Sequence, residues 1–517
     1  MWSNLQPGAK FVIILLIVGG IAFGIYKVVG SSKSSTTTTE QKSSSGGILS
    51  KVTNVFSSGP DITVVVNTWG GFAPLVDLND GLEPNENSRM YKEFGLKVKI
   101  LVIDAFEESR NTYKTGKADV IYCTADALPI DMGLKSAMTE LKSKFFVQVD
   151  WSRGGDLIVA RKGINKVSDF IGKTISVAEG TASHTLLLKI LEANGISESQ
   201  VTIKKVKDGI ESANLFKAGA VDVSVIWTPD DGDCLKAIPG SKIVIDSRSA
   251  SFIIADGFIA REDFINKNGD KLVKFGTAWL TENGDINTDP TVKLRAAYKF
   301  AKAFGVDTAF AINGMSKVRF VTFEDNKNFF GLNTAYTGVT GEQLYTKMSN
   351  TYSELKLTEN PLPWRNVSVT SIIESIQLSG MAQAAEAPVK FTPVTKEIAS
   401  KEAISNKKVT INFETNSYTL SDDAKATIDR EFLSTAKQFR DARVKIEGNT
   451  DATGNFDSNV VLSKQRAQSV ANYLVTEYKM DPNKFIIVGN GPKKAIADGV
   501  KGDNANYRRT DFGLVIE

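Results

Sequence analysis

From Asp61 to Gln377 short apolar runs alternate with helix-like stretches, and no other feature limits the possible folds as much. I-T-V-V-V-N-T-W reads as a buried strand, and K-V-K-I-L-V-I and A-D-V-I-Y-C follow it with helical spacing between them. Strands so uniformly apolar need cover on both faces, which helices supply. The pattern therefore predicts an α/β architecture built on parallel sheets. A second unit opens near Asp156 with D-L-I-V-A, T-I-S-V-A, V-T-I-K-K-V and V-D-V-S-V-I-W, and around Asp256 the first pattern resumes.

Ahead of this region, Lys10 precedes F-V-I-I-L-L-I-V-G-G-I-A-F-G-I-Y-K-V-V-G. Between Phe11 and Val29 the one charge is Lys27, placed where its ammonium can reach the interface. As a helix this run spans roughly 28 Å, close to the hydrocarbon thickness of a bilayer. No A-x-A-like cleavage site follows, so residues 1–30 are expected to be an uncleaved transmembrane helix rather than a signal peptide. Gly20 and Gly24 have the spacing of a helix-pairing motif, but small residues are common in any membrane helix. Lysines flank the run on both sides and do not set its orientation. Residues 31–60, S-S-K-S-S-T-T-T-T-E-Q-K-S-S-S-G-G and onward, form a polar tether.

Composition removes several functions. A formal net charge of +3 gives no concentrated basic character, so no nucleic-acid partner is expected. Two cysteines exclude a disulfide framework and a Cys-rich zinc site, and a single histidine argues against a metal centre or a Ser-His-Asp triad. Neither cofactor nor metal is expected.

Residues 378–407 contain Ala, Lys and Pro with weak periodicity and read as a second linker. Residues 408–517 then form a β-α-β-α-β-β unit. I-N-F-E-T-N-S-Y-T-L-S leads into a helix with Ser421 as its N-cap. V-K-I-E-G-N-T-D-A-T-G, N-V-V-L-S-K-Q-R-A-Q-S-V, I-I-V-G-N-G and Y-R-R-T-D-F follow. This succession resembles the OmpA C-terminal-like peptidoglycan-binding family along the whole unit. The resemblance implies that Asp451, in G-N-T-D, and Arg466, on the next helix, hold the diaminopimelate of a peptidoglycan stem peptide. The chemistry agrees, because a carboxylate and a guanidinium satisfy an ammonium and a carboxylate carried on one carbon. Thr450 adjoins Asp451, and Ser463 and Asn459 lie one and two turns before Arg466 on nearly one face. Arg508 and Arg509 match the family's paired arginines, and Arg509 is carried into the site. Asn449 stands where the family usually has histidine, and Tyr507 where it has asparagine. A plain ion pair between Asp451 and Arg466 is the competing structural reading.

The region 61–377 resembles two-lobed periplasmic solute-binding proteins of the nitrate, taurine, alkanesulfonate and thiamine-precursor group. V-S-D-F-I-G-K-T-I-S-V-A-E-G-T-A-S-H-T-L-L-L-K-I-L-E and F-K-A-G-A-V-D-V-S-V-I-W-T-P-D carry the likeness. It implies a first lobe over 61–153 and 252–377, a second over 154–251, and crossings near Asp150–Asp156 and Asp246–Ile254. Cys123 and Cys234 then fall in different lobes and stay unpaired.

E-G-T-A-S-H-T-L-L-L places a strand, a glycine turn and a helix start in order, and such a start offers free N–H groups to a polar ligand. Thr181 and Ser183 add hydroxyls. His184 either adjusts charge there or packs against the lobe. Trp69 with Gly70 offers an aromatic wall beside open backbone. Thr124 and Asp126 follow a strand at its carboxyl end, Trp227 holds the corresponding place in the second lobe, and Asp256 faces the cleft. Asp230 and Asp231 read as a surface turn rather than an acid–base pair.

The expected protein is not an enzyme. It is a single-pass inner-membrane protein whose bulk lies in the periplasm, held to peptidoglycan, binding a small solute for an ABC-type permease or a sensor. The rival is a tether between membrane and wall whose two-lobed domain binds another envelope protein.

Overall fold

The computed structural model describes residues 59–517 apart from Pro229, Thr415 and Glu517. The expected membrane helix and nearly all of the Ser/Thr-rich tether lie outside the described residues. Among the described residues no helix is long and apolar enough to cross a membrane.

The chain begins the first lobe with β1 (Ile62–Val66), buried along its length as its five apolar or β-branched residues require. β1 pairs in parallel with β2 (Val98–Val102) and β3 (Val120–Thr124), and α1 (Phe106–Lys114) connects those two. β4 (Lys144–Ser152) ends at the first crossing. The second lobe holds β5 (Asp156–Ala160), β6 (Thr174–Ala178), α2 (Ala182–Ala193), β7 (Thr202–Val206), β8 (Val223–Trp227) and β9 (Lys242–Asp246). The chain returns through 247–254 into β10 (Ala255–Ala260), then runs through α3 (Glu262–Thr288), β11 (Val318–Phe320) and α4 (Gly341–Glu354). Strand order is β11-β4-β10-β3-β1-β2 in the first lobe and β7-β6-β8-β5-β9 in the second.

The expectation of parallel sheets needs correction, because both sheets are mixed. β10 runs antiparallel to β3 and β4, and β5 runs antiparallel to β8 and β9. These are the strands beside the crossings. A chain that leaves a sheet at one end and returns at that same end runs back antiparallel to the strand by which it left, as the start of β10 against the end of β4 shows.

In the first lobe α3 lays Phe275 and Trp279, both fully buried, against the sheet among Phe72, Phe146 and Phe258. Each such side chain contributes about 1.5–3 kcal/mol by leaving water. Asn283 on the same helix donates from Nδ2 to Val149 O at 3.0 Å and Val321 O at 2.8 Å, satisfying backbone at the sheet edge.

Residues 378–407 run along this body. Gln383 is buried, with its Nε2 donating to Leu280 O at 2.9 Å and its Oε1 accepting from Phe323 N at 3.1 Å. Glu386 accepts from Arg153 at the crossing at 2.6 Å, lies 3.7 Å from Arg319, and pairs with Arg440 of the C-terminal unit.

That unit contains β12 (Lys407–Val409), a helical stretch over 422–438, β13 (Arg443–Asn449), α5 (Phe456–Tyr478), β14 (Phe485–Gly491) and β15 (Thr510–Val515). Its strand order is β12-β15-β13-β14, with β13 and β14 parallel. A short helix, Lys493–Ala497, precedes the last strand. Gly448 allows α5 to approach β13 closely, since a Cβ there would stand 2.1 Å from Ser463 O. The apolar core of this unit is continuous with that of the second lobe, and Phe252 N donates to Gln438 O at 3.1 Å.

Candidate functional site

A cavity of about 440 Å³ opens between the two lobes at the carboxyl ends of their central strands. Trp69, just after β1, covers the first crossing. Its ring lies so close to Gly155 that a Cβ there would be 2.2 Å from Trp69 Cη2, and its Nε1 donates to Asp150 Oδ2 at 3.3 Å. Trp227, at the end of β8, meets Phe106 of α1 edge-on, with ring centroids 6.1 Å apart. Tyr122 and Thr124 share a face of β3 through strand alternation, and neither hydroxyl has a hydrogen-bond partner. Arg110 lies over the Phe106 and Tyr122 rings at 5.4 and 5.3 Å and pairs with Asp131 at 3.1 Å.

At the start of α2, Gly180, Thr181 and Ala182 line the cavity. The Thr181 hydroxyl donates to Ala178 O at 2.8 Å and makes no cap, so the helix start keeps its N–H groups clear of a capping side chain. The lobes also touch beside the cleft. Tyr352 of α4 bonds the Thr185 hydroxyl at 2.7 Å, and Lys317 reaches Asp231 at 3.5 Å.

Trp69, Thr124, Thr181, Trp227 and Asp256 thus stand on the cleft wall. Four other expected residues stand behind it. Gly70 packs on backbone, where a Cβ would be 2.5 Å from Gly314 C. Ser183 is fully buried in α2. His184 is buried too, accepts at Nδ1 from Gly180 N at 3.3 Å, and is pushed by burial down to about 4, so it stays neutral at physiological pH. Asp126 accepts from Ala255 N at 3.3 Å and is pushed up by burial to about 7. Helical periodicity turns Ser183 and His184 inward, which a linear reading of the glycine turn does not reveal.

The structure also brings in residues not foreseen: Phe106, Arg110, Tyr122 and Asp156. Alternation from Thr124 was a signal for Tyr122. Asp156 carried none, because its role arises from the crossing. Its Oδ2 accepts from Ser152 Oγ at 2.8 Å, and burial raises it to about 6. Asp230 and Asp231 sit in the first turn of a helix, Asp230–Ala237, rather than in a turn. Among the described residues no group of three or more His, Cys, Asp or Glu side chains is placed to hold a metal ion.

In the C-terminal unit Asp451 is almost fully buried after β13. Burial raises its pKa, but hydrogen bonds from Thr453 and Arg508 outweigh that and hold it low. Its Oδ2 accepts from Arg508 Nη1 at 2.6 Å. Arg466 makes no ion pair with Asp451. It donates to the carbonyls of Ser417 at 3.0 Å and Glu414 at 3.2 Å, over the Phe413 ring at 4.9 Å. Asn459 donates to Thr453 O at 2.6 Å, bracing the Asp451 loop, and Thr450 Oγ1 donates to Asp451 O at 2.9 Å.

Ser463 has a structural task, whereas Arg509 still lines a small cavity with Arg466 and Arg508. Ser463 is fully buried and accepts from Gly491 N at 2.9 Å, tying α5 to β14. Arg509 pairs with Asp511 at 3.0 Å. Arg508, which follows a short helical turn, reaches Asp451, and Arg509 does not. Asn449 bonds Asn490 at 3.0 Å and Asp511 at 3.3 Å.

A two-lobed α/β body with a cleft at the strand ends, followed by this smaller unit, defines a periplasmic-binding-protein fold joined to a separate α/β domain. Residues 88–290 match the NMT1/THI5-like family model and residues 412–509 match the OmpA family model. The chain therefore carries an NMT1/THI5-like solute-binding domain and, at its C-terminus, an OmpA domain. Outer membrane protein Omp38 of Acinetobacter baumannii is 31% identical over 129 residues, 25% of this chain and 36% of that protein. A putative binding protein of Brucella abortus is 27% identical over 191 residues, 36% of this chain and 56% of that protein. The taurine-binding periplasmic protein of Escherichia coli is 24% identical over 170 residues, 32% of this chain and 52% of that protein. Each match thus spans only a third to about half of the relative's own length. Among solved structures, the aliphatic sulphonate binding protein SsuA of E. coli is 15% identical, with a TM-score of 0.46 over 65% of this chain and 99% of that one.

Proposed function

We propose that this is an envelope protein that grips peptidoglycan through residues 408–517 and binds a small solute between the lobes of residues 61–377. The observation that carries the solute reading is the cleft of about 440 Å³ with aromatic walls and hydroxyls left without partners. Such a space suits a small molecule held by few polar anchors. The wall reading rests on the OmpA match together with Asp451, a buried carboxylate held low by Thr453 and Arg508. The apolar run Phe11–Val29 supports an uncleaved anchor in the inner membrane, and the OmpA and NMT1/THI5-like matches support a periplasmic side for the domains. Delivery to an ABC-type permease, or signalling of the bound solute, is the role this arrangement serves.

A thermal-shift screen of small metabolites on the purified protein tests the solute reading. Closure on a ligand stabilises by mass action, about 2.7 kcal/mol at a hundredfold excess over Kd. Retention of the membrane fraction after carbonate extraction tests the anchor. The second reading, a tether whose cleft docks a protein, has one observation in its favour: the lobes already meet through Phe106–Trp227 and Thr185–Tyr352. A broad panel without any binder, together with a partner protein cross-linked at the cleft, would favour it.

A further inference from the structure

The charges of the cleft are unevenly matched. Arg110 is paired with Asp131, Lys317 with Asp231, and Glu179 with Lys205. Lys114 and Lys207 stand exposed on the rim. On the floor, Asp156 and Asp256 are each 7% exposed and line the cavity, and among the described residues neither belongs to an ion pair. Asp150 backs them with a third carboxyl. Buried carboxylates without a counter-charge are costly, and a cation placed on them removes the cost.

A second, independent observation points the same way. Tyr122, 3% exposed, lines the cavity and has a hydroxyl without a partner. Around it stand Trp69, Phe106 and Trp227, whose ring faces carry the negative side of their quadrupoles. Arg110 over Phe106 and Tyr122 demonstrates that these rings accept a cation. A negatively charged solute would find no cation on this floor, only carboxyl groups whose ionised form it would oppose.

We propose that the cleft takes a small organic cation, a protonated or quaternary amine on a compact apolar body. Its nitrogen sits on Asp156 and Asp256, and its body lies between Trp69 and Trp227. This rests on the reading of the cleft as a solute site and adds the sign of the ligand's charge.

Calorimetry on the full chain with choline, with its neutral isostere 3,3-dimethylbutan-1-ol and with ethanesulfonate tests the charge directly. Choline is expected to bind at least about tenfold more tightly than the isostere, with ethanesulfonate silent. Asp156→Asn and Asp256→Asn, which keep shape, should each erase that preference while the melting temperature shows an intact fold. Equal binding of choline and the isostere, or preference for ethanesulfonate, overturns the charge assignment and leaves solute binding standing. If none of the three binds, the proposal fails, and the broad metabolite screen then decides separately whether the cleft binds solutes at all.

Discussion

Asp256 lies directly opposite Asp150 on the antiparallel strands β10 and β4, and neither carboxyl has a cation beside it among the described residues. Burial raises Asp150 to about 7. Burial and then the facing Asp150 charge raise Asp256 well above the usual carboxylate range. Near neutral pH the two share a proton.

The pair makes stability depend on pH with a definite sign. Both carboxyls have folded pKa values above their ordinary 3.8, so the folded state binds more protons than the unfolded chain. The stability they contribute is complete below about pH 4 and is lost as pH rises through about 7. Asp150→Asn should therefore match wild type near pH 4 and exceed it at pH 8 by roughly 1–3 kcal/mol, since one pKa unit is about 1.4 kcal/mol. Urea unfolding at the two pH values reads the difference directly, and an unchanged gap would refute the shared proton.

Glu386 joins three arginines from separate parts of the chain: Arg153 at the crossing, Arg319 in β11 and Arg440 in the C-terminal unit. Glu386→Ala leaves those cations facing one another. Breaking a buried pair costs about 3–5 kcal/mol, and the 24% exposure of this side chain lowers the expected loss to about 1–3 kcal/mol. Limited proteolysis should then cut within 378–407, where wild type resists.

At the wall site, Asp451→Ala or Arg466→Ala should abolish co-sedimentation with diaminopimelate-type peptidoglycan while the circular dichroism spectrum stays native. Each removes a charge-assisted partner worth about 1.5–3 kcal/mol. Arg508→Ala separates two roles. If Arg508 merely occupies Asp451 until an ammonium replaces it, binding tightens, whereas a direct ligand contact makes binding weaken. Arg509→Ala loses the Asp511 pair, the bond to Asn506 O at 2.6 Å and the contact over the Tyr507 ring, none of which involves Asp451, so binding should fall less than in Asp451→Ala.

Gly155→Ala places a methyl group against the Trp69 ring, where a Cβ would stand 2.2 Å from Cη2. Trp69 must then leave the cleft wall. Its tryptophan emission should shift to the red, and any solute bound by wild type should lose affinity by about tenfold or more, in line with the loss of one aromatic wall.

Cys123 and Cys234 are both buried and unpaired, one in each lobe. Burial raises the Cys234 thiol to about 11 and the Cys123 thiol well above 9.0, so neither forms thiolate readily. Native protein should react negligibly with a thiol reagent at pH 8, and denatured protein should titrate two thiols. A quantitative disulfide would contradict the placement of the two residues.

What the sequence determined by itself is what short range dictates. Apolar runs such as I-T-V-V-V and D-L-I-V-A specified strands, and the G-N-T-D and L-S-K-Q-R segments placed Asp451 and Arg466 on neighbouring elements. Trp69, Thr124, Thr181 and Trp227 were legible because they end strands or start a helix, positions that α/β sheets turn toward a cleft. Only the tertiary structure decided the rest. β4 and β10 are far apart in sequence, and the antiparallel return that sets Asp256 against Asp150 comes from the crossing between lobes. The inward turn of Ser183 and His184 depends on which face of α2 packs, and the claim of Arg508 on Asp451 depends on how β15 enters its sheet. Periodicity encodes which side of an element is apolar. It does not encode which distant charge that element will face, because that contact is made by the packing of whole lobes.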